Sequence, residues 1–535
     1  MKQAKLIPSM GIIPSSLDTR LEGDTIIAEG LCITKIRGSR ERFDTDKVKI
    51  DIPVQENAID ISFKSRYGRK LPGGAALNRF KLEIDIKKAE DWDIQNKLLI
   101  NYDGRGENRI SYSIFDRKRG RNHNSRIFIK DGLAMYFRQN VNNSIFFTIR
   151  DANQYDTEEG QARIERAYKN SKQHRDKDIV LMYEKNCARY EESASVLYEK
   201  LIDEGFDNVY YIVDTGIPAV QGMDERYRQN LIEKDSDRHL EYFFACDKFI
   251  STETIDHALQ LRIANKRVQD KITGKGLSYV FLQHGVMYMV SLNSALRVGF
   301  RQKKGYKLHR TVVSSEAEAQ HFMDLAGMKR GNLYITGLAK FDKSYRNEGA
   351  DKIVIMPTWR RWETNQAKHD IRQSGYYKMI ERMYNAVPGE LKDKVVILPH
   401  PLMAERFEGE KDGIGGHLRL TDSYDVTLRD CDLLITDYSS IAYDAFYRGA
   451  NTIFCWEEKD ECMRHYGEET HLMLNEDNAF GRVCMNEAEL RTAISETYGR
   501  AQSEKDRERY DKIVEFSDGR NSERIIECLK RDKMI

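Results

Sequence analysis

Two histidines, two serines and several cations stand where apolar runs of this 535-residue chain stop. In an open parallel sheet those strand ends are the positions that meet a ligand. LSYVFLQHG ends on His284, followed by Gly285, which lets backbone approach a ligand closely. IVIMPTWRR ends on Thr358, Arg360 and Arg361, KVVILPHP sets His400 between two prolines, and LLITDYSS ends on Asp437, Ser439 and Ser440 just before a helix. One histidine could take a proton from a hydroxyl while the other binds charge. An arginine fork matches phosphate oxygens, and hydroxyls beside free N–H groups at a helix start form an anion cradle. Bland readings stand beside these. Asp437 or a serine could merely cap the helix from Ile441, the arginines could sit on a solvated loop, and a lone strand-end histidine could be structural. Asp444, four residues past Ser440 on the same helical face, could orient a hydroxyl or pair with a neighbouring cation.

The elements that must position these groups are strands alternating with helices. From Asp178 the chain reads DIVLMY, an amphipathic RYEESASVLYEKLIDEG, NVYYIVD, FFACDKFIST and LSYVFLQHG. A second run of the same kind starts near Lys352, with KIVIMPT, KVVILPH, DLLITDYSS and NTIFCW separated by helical stretches. Short, nearly continuous apolar strands between helices predict two successive doubly wound α/β units, and a cleft between them would set the two histidines on opposite walls. Residues 1–150 differ, alternating β-branched and aromatic runs such as TIIAEGLCITKI and SIFFTIR with polar turns, which predicts an all-β, sandwich-like domain. The expected division is a β-rich accessory domain over 1–150, a linker or solvated helix over 151–177, and Rossmann-like domains over 178–340 and 341–535, the last with closing helices.

Lys+Arg 86 against Asp+Glu 85 leaves a formal charge of +1, so a globally basic nucleic-acid binder is disfavoured. No apolar run approaches the roughly 20 residues of a membrane-spanning helix, and the first residues lack a signal peptide's apolar core, so the chain reads as cytosolic. Eight cysteines without a C-x-x-C and twelve histidines without an H-E-x-x-H predict reduced thiols and no metal or permanently bound cofactor.

QHG, PTWR, HP and TDYSS followed by IAYDAF, in this order and at these intervals, resemble the CDP-glycerol glycerophosphotransferase family, the teichoic acid polymerases and primases. LYITGLAKFD, ending at Asp342, resembles that family's T-G-x-P-R-x-D segment. The resemblance runs from about residue 178 to 500. It implies a GT-B architecture with the donor held by the C-terminal domain, and transfer of a polyol phosphate from CDP-glycerol or CDP-ribitol to a polymer hydroxyl with release of CMP. It further implies His284 as base, His400 near the donor phosphates, Ser439 and Ser440 on the pyrophosphate, and Gly285, Thr358, Arg360, Asp437 and Asp444 as donor-side residues. A lipid-linked acceptor and work at the inner face of the cell membrane are also implied. The basic run Asp116 to Arg126 could meet an anionic surface or be a solvated hairpin loop.

The chain departs from the family pattern in three places. W-H-G-T-P is Q-H-G-V-M here, Ala339 and Lys340 replace Pro and Arg, and Asn451 replaces a Pro. Two other readings share the pattern: a GT-B glycosyltransferase using a nucleotide sugar, and a noncatalytic carbohydrate-binding scaffold.

Overall fold

The computed structural model describes all residues except 1–6, 38–43, 52–58, 72–73, 90–94, 103–104, 113–124, 140–143, 260–262, 293–304, 364–369, 412, 421–422 and 468. Most of the basic run 116–126 therefore lies outside the described residues. The chain divides into two compact units, Met1–Lys169 with Arg262–Thr273, and Asn170–Leu261 with Gly274–Ile535.

The first unit is built mainly from antiparallel strands, as the period-2 runs predict. TIIAEGLCITKI falls within the strand Thr25–Arg37, which pairs with Ile7–Ile12 on one side and Ala75–Asp85 on the other. A second sheet pairs Leu133–Gln139 with Ile145–Asp151 in antiparallel register. Inward residues of the two, including Ile26, Phe80, Leu82, Met135 and Phe147, meet in one apolar cluster. The stretch expected as a linker or solvated helix carries helix α1 (Glu158–Asn170), and Gly160, Ile164 and Ala167 along it are buried. Two of those three are small, so the face is too faint to read as an apolar stripe. Residues 262–273, expected within the first Rossmann-like domain, belong to the β-rich unit. There Asn265 Nδ2 donates to Gln161 Oε1 at 2.8 Å and the Arg267 guanidinium covers the Tyr168 ring.

The second unit holds two parallel sheets. The N-lobe sheet contains β1 (Val180–Tyr183), β2 (Val209–Val213), β3 (Leu231–Glu233), β4 (Lys248–Ser251), β5 (Ser278–Phe281), β6 (Leu308–Val313) and β7 (Leu333–Ile335). Their spatial order is 3-2-1-4-5-6-7. The C-lobe sheet contains β8 (Lys352–Ile355), β9 (Val395–Ile397), β10 (Cys431–Thr436), β11 (Asn451–Cys455) and β12 (Arg482–Cys484), in the order 9-8-10-11-12. β1 and β10 are buried along their whole length, which is why they read as unbroken apolar runs rather than alternating ones. In both sheets the strand order reverses beside the first strand. The loops that follow β1 and β4, and β8 and β10, therefore diverge and open a crevice at each sheet's carboxyl edge.

Three helices fix the site's frame. Glu184, just past β1, accepts the N–H groups of Glu191, Glu192 and Ser195 and so caps α2 (Ser193–Asp203). Ser315 caps α3 (Glu316–Ala326) by accepting Glu318 N–H at 3.1 Å, and Gly327 ends it at φ 65°. The last helix, α5 (Asn521–Arg531), returns to the N lobe. Its Ile525, Ile526 and Leu529 join a core shared with Leu197 and Leu201 of α2. Burial of side chains of this kind contributes ~2 kcal/mol each.

Candidate active site

A cleft of about 860 Å³ lies between the two sheets of the second unit, lined by His284 from the N lobe and by Thr358, His400, Ser439, Ser440 and Asp444 from the C lobe. Each lies beyond the end of a strand. β5 runs into Leu282, whose N–H still donates to Ser251 O at 2.8 Å. At Gln283 the backbone turns left-handed (φ 60°), pinned by its Nε2 donating to Val312 O at 2.6 Å. That turn swings His284 out of the sheet. Its side chain is exposed to the cleft, with the dense protein of the walls around it. Desolvation by those walls, together with the charges of Lys185 and Lys340, holds its pKa below the ordinary 6.5, with Glu192 and Glu253 opposing. The imidazole is therefore a free base at neutral pH.

Beyond His284, Met287 N–H donates to Glu318 Oε1 at 2.6 Å, and Ser314 binds the other carboxylate oxygen through both N–H and hydroxyl. The departure from the family pattern matters here. A proline in place of Met287 would have no N–H for Glu318 to hold.

His400 stacks on Trp359, with ring centroids 5.4 Å apart and planes at 21°, and its backbone N–H donates to Tyr376 Oη at 2.9 Å. Burial, reinforced by the Lys185 charge, pushes its pKa down to about 4. The expectation that one histidine binds charge is thereby narrowed: without a bound anion, His400 is a neutral ring, not a cation.

The DYSS segment separates into two functions. Asp437 is buried behind the cleft wall and accepts the N–H groups of Thr358 (2.8 Å) and Tyr438 (2.5 Å), tying the loop after β8 to the loop after β10. Ser439 and Ser440 face the cleft ahead of α4 (Ile441–Tyr447). Ser440 makes no side-chain cap bond, and Ser439 Oγ accepts Ile441 N–H only at 3.4 Å, so plain capping explains little of these two hydroxyls. Gly285 packs against Ser440 from the opposite lobe, where an added Cβ would stand 3.2 Å from Ser440 Oγ.

Arg360, expected on the donor, is not among the side chains that line the cleft. It is buried on the far side of its loop, bonded to Glu458 and, at 3.3 Å, to Glu363. Two carboxylates within reach of a desolvated guanidinium hold it there. Asp444 lines the cleft and pairs with Lys340 at 2.6 Å.

Strand-end reasoning missed Lys185, Glu192 and Glu253 of the N-lobe wall, all of which line the cleft. The same rule applied to the ends of DIVLMY and FFACDKFIST would have found Lys185 and Glu253, whereas Glu192 stands at the start of α2. Lys340 was visible only as the departure in LYITGLAKFD. Among the described residues, no group of three or more His, Cys, Asp or Glu side chains is placed to hold a metal.

A family model for CDP-glycerol:poly(glycerophosphate) glycerophosphotransferase matches residues 166–530. The minor teichoic acid biosynthesis protein GgaB of Bacillus subtilis (strain 168) is 24% identical over 273 residues, which are 47% of this chain and 29% of GgaB. The chain thus covers less than a third of that relative's length. The structure of the wall teichoic acid polymerase TagF aligns with a TM-score of 0.50 at 16% identity, covering 70% of this chain and 94% of the TagF chain. That likeness is one of fold, two Rossmann-like domains in a GT-B arrangement. The family match spans well over half of the sequence and takes in both parallel sheets and the cleft between them, so the chain belongs to the CDP-glycerol:poly(glycerophosphate) glycerophosphotransferase family.

Proposed function

We propose that this chain transfers glycerol phosphate from CDP-glycerol to a hydroxyl of a teichoic-acid-like or capsular polymer, with CMP as the leaving group. The observation that carries the reading is the cleft itself: an open, neutral imidazole on the N-lobe wall faces paired hydroxyls and a second imidazole at the C-lobe crevice. The acceptor oxygen attacks the phosphorus that bears glycerol, and His284 takes the hydroxyl proton as that bond forms. The bond from this phosphorus to the bridging oxygen breaks, and the bridging oxygen leaves on CMP. Base assistance of this kind is worth ~10²–10⁴-fold. Ser439, Ser440 and the His400 ring stabilise charge on the phosphate oxygens, the larger contribution in phosphoryl transfer. The acceptor is lipid-linked, and the protein meets it peripherally at the inner membrane face. Among the described residues, no helix is long and apolar enough to cross a membrane.

The test is CMP release from CDP-glycerol and from CDP-ribitol with a lipid-linked glycerophosphate acceptor mimic, alongside His284→Ala and His400→Ala. Release by the wild type that is lost in both variants is expected, and the donor that turns over names the polyol. No turnover with either donor, combined with measurable binding of a nucleotide sugar, would overturn the reading in favour of a glycosyltransferase.

A further inference from the structure

The N-lobe strand order reverses between β1 and β4, so the loops after these strands border the crevice where open parallel sheets take ligands. The loop after β1 follows an unfavourable path. Lys185, Asn186 and Cys187 have φ of 46°, 54° and 58°. Three consecutive residues with side chains thus occupy the left-handed region that only glycine enters freely. Such a conformation persists where its surroundings over-determine it, and here they do. Asn186 N–H donates to Glu253 Oε2 at 2.6 Å, and Asn186 Oδ1 lies 2.8 Å from His257 Nδ1. Cys187 N–H donates to Glu184 O at 2.8 Å, and Asp214 N–H donates to Cys187 O at 2.9 Å.

These clamps all act on Asn186 and Cys187, and what the turn delivers is Lys185. Its side chain lines the cleft with both histidines, and its charge acts on both rings. Of the lining cations ahead of β8, Lys340 pairs with Asp444 and Lys343 with Glu199, whereas Lys185 stands among Glu191, Glu192 and Glu253. Its ammonium lies 2.8 Å from Glu192 Oε1, while Glu192 Oε2 is buried with no hydrogen-bond partner. Burial opposes the charge on Lys185, but Glu192 and Glu191 outweigh it and hold the ammonium protonated. An ammonium has three N–H donors, and one carboxylate oxygen does not occupy them.

Resting on the glycerophosphotransfer reading, we infer that Lys185 is a phosphate-binding residue of this cleft, held on a strained turn so that its ammonium exchanges Glu192 for a phosphate oxygen of the substrate. The phosphate belongs either to the donor diphosphate or to a phosphodiester of the acceptor, and the two are separable. Full-length wild type, Lys185→Met, Lys185→Arg and Glu192→Gln are titrated calorimetrically with CDP-glycerol and with a glycerophosphate oligomer. KM for each substrate is taken from CMP release. Lys185→Met is expected to weaken one of the two ligands about 10- to 100-fold. Lys185→Arg restores most of it, and Glu192→Gln tightens the same ligand by removing the competitor. A shift confined to CDP-glycerol identifies the donor diphosphate, and one confined to the oligomer identifies the acceptor. Opposite signs at Lys185 and Glu192 are not what a purely structural ion pair would produce. Wild-type CMP release with both affinities and both KM values unchanged in Lys185→Met would overturn the inference and leave the reaction standing. Binding of CDP-glycerol without turnover would sink the reaction instead, and the calorimetric comparison would still decide the role of Lys185. A wild type that binds neither ligand would refute both.

Discussion

The ammonium of Lys340 sits 2.6 Å from Asp444 Oδ1, with the two side chains only 12% and 7% exposed. The same ammonium donates to the backbone oxygen of His284 at 3.0 Å. One cation thus joins the loop that carries the open histidine to the helix that begins beside Ser440. Lys340→Met leaves the Asp444 carboxylate buried without its partner and is expected to cost about 3 kcal/mol in urea unfolding. Lys340→Arg, the residue usual in this family segment, retains the pair and most of the stability. If Lys340→Met unfolds like the wild type, the pair is solvated in solution and the argument fails.

Gly285 and Ser440 approach across the cleft. A methyl group at 285 would stand 3.2 Å from Ser440 Oγ, and a hydroxyl can turn away where backbone cannot. Gly285→Ala should therefore change the melting temperature little while raising KM for CDP-glycerol about tenfold, because the rotated hydroxyl loses roughly one hydrogen bond to the donor. An unchanged KM would show that Ser440 does not touch the donor.

The depressed pKa of His284 sets a pH profile. A base works unprotonated, so kcat/KM should be flat from neutral pH upward and fall on the acid side only below 6.5. Asp437, pushed up to about 6 by burial, titrates in the same range, but Asp437→Asn should keep the acid limb because that side chain holds loops, not the proton in flight. Stability follows the same direction for the histidines. The unfolded chain protonates these rings near 6.5 while the folded one resists, with His400 at about 4, so stability present above pH 6.5 declines as pH falls toward 4. Raising the pH through 6.5 should therefore raise the urea midpoint of the wild type more than that of His400→Gln. Equal gains would contradict the shift.

Asp342 accepts the N–H groups of Asn521 (2.8 Å) and Ser522 (2.7 Å), capping α5, and Gly337 (φ 77°) leaves room for the Asn521 side chain. A Cβ at 337 would stand 2.3 Å from Asn521 Oδ1. Asp342→Ala should cost about 1–2 kcal/mol through the lost cap. Gly337→Ala adds a clash and left-handed strain, and should release the last helix to limited proteolysis. Intact protection of that helix in both variants would refute this role for the T-G-x-x-x-x-D segment.

The strands that end on His284, His400 and the DYSS serines were legible because fully buried parallel strands are short, apolar and unbroken, and their termini are where such sheets take ligands. The cleft-facing positions of Thr358, Ser439 and Ser440 follow from the same rule. Local sequence could not tell on which side of its loop a side chain falls. Arg360 and Trp359 are neighbours, yet the indole lines the cleft and the guanidinium is drawn away by Glu363 and by Glu458, 98 residues further on. Nor could it show that Lys340, Asp444 and the His284 carbonyl converge, or that Lys185 is held in a left-handed turn by Glu253 and His257. Apolar period and strand ends are local properties and survive in one dimension. Charge partners and backbone strain depend on segments far apart in the chain, and only the packed tertiary structure decides them.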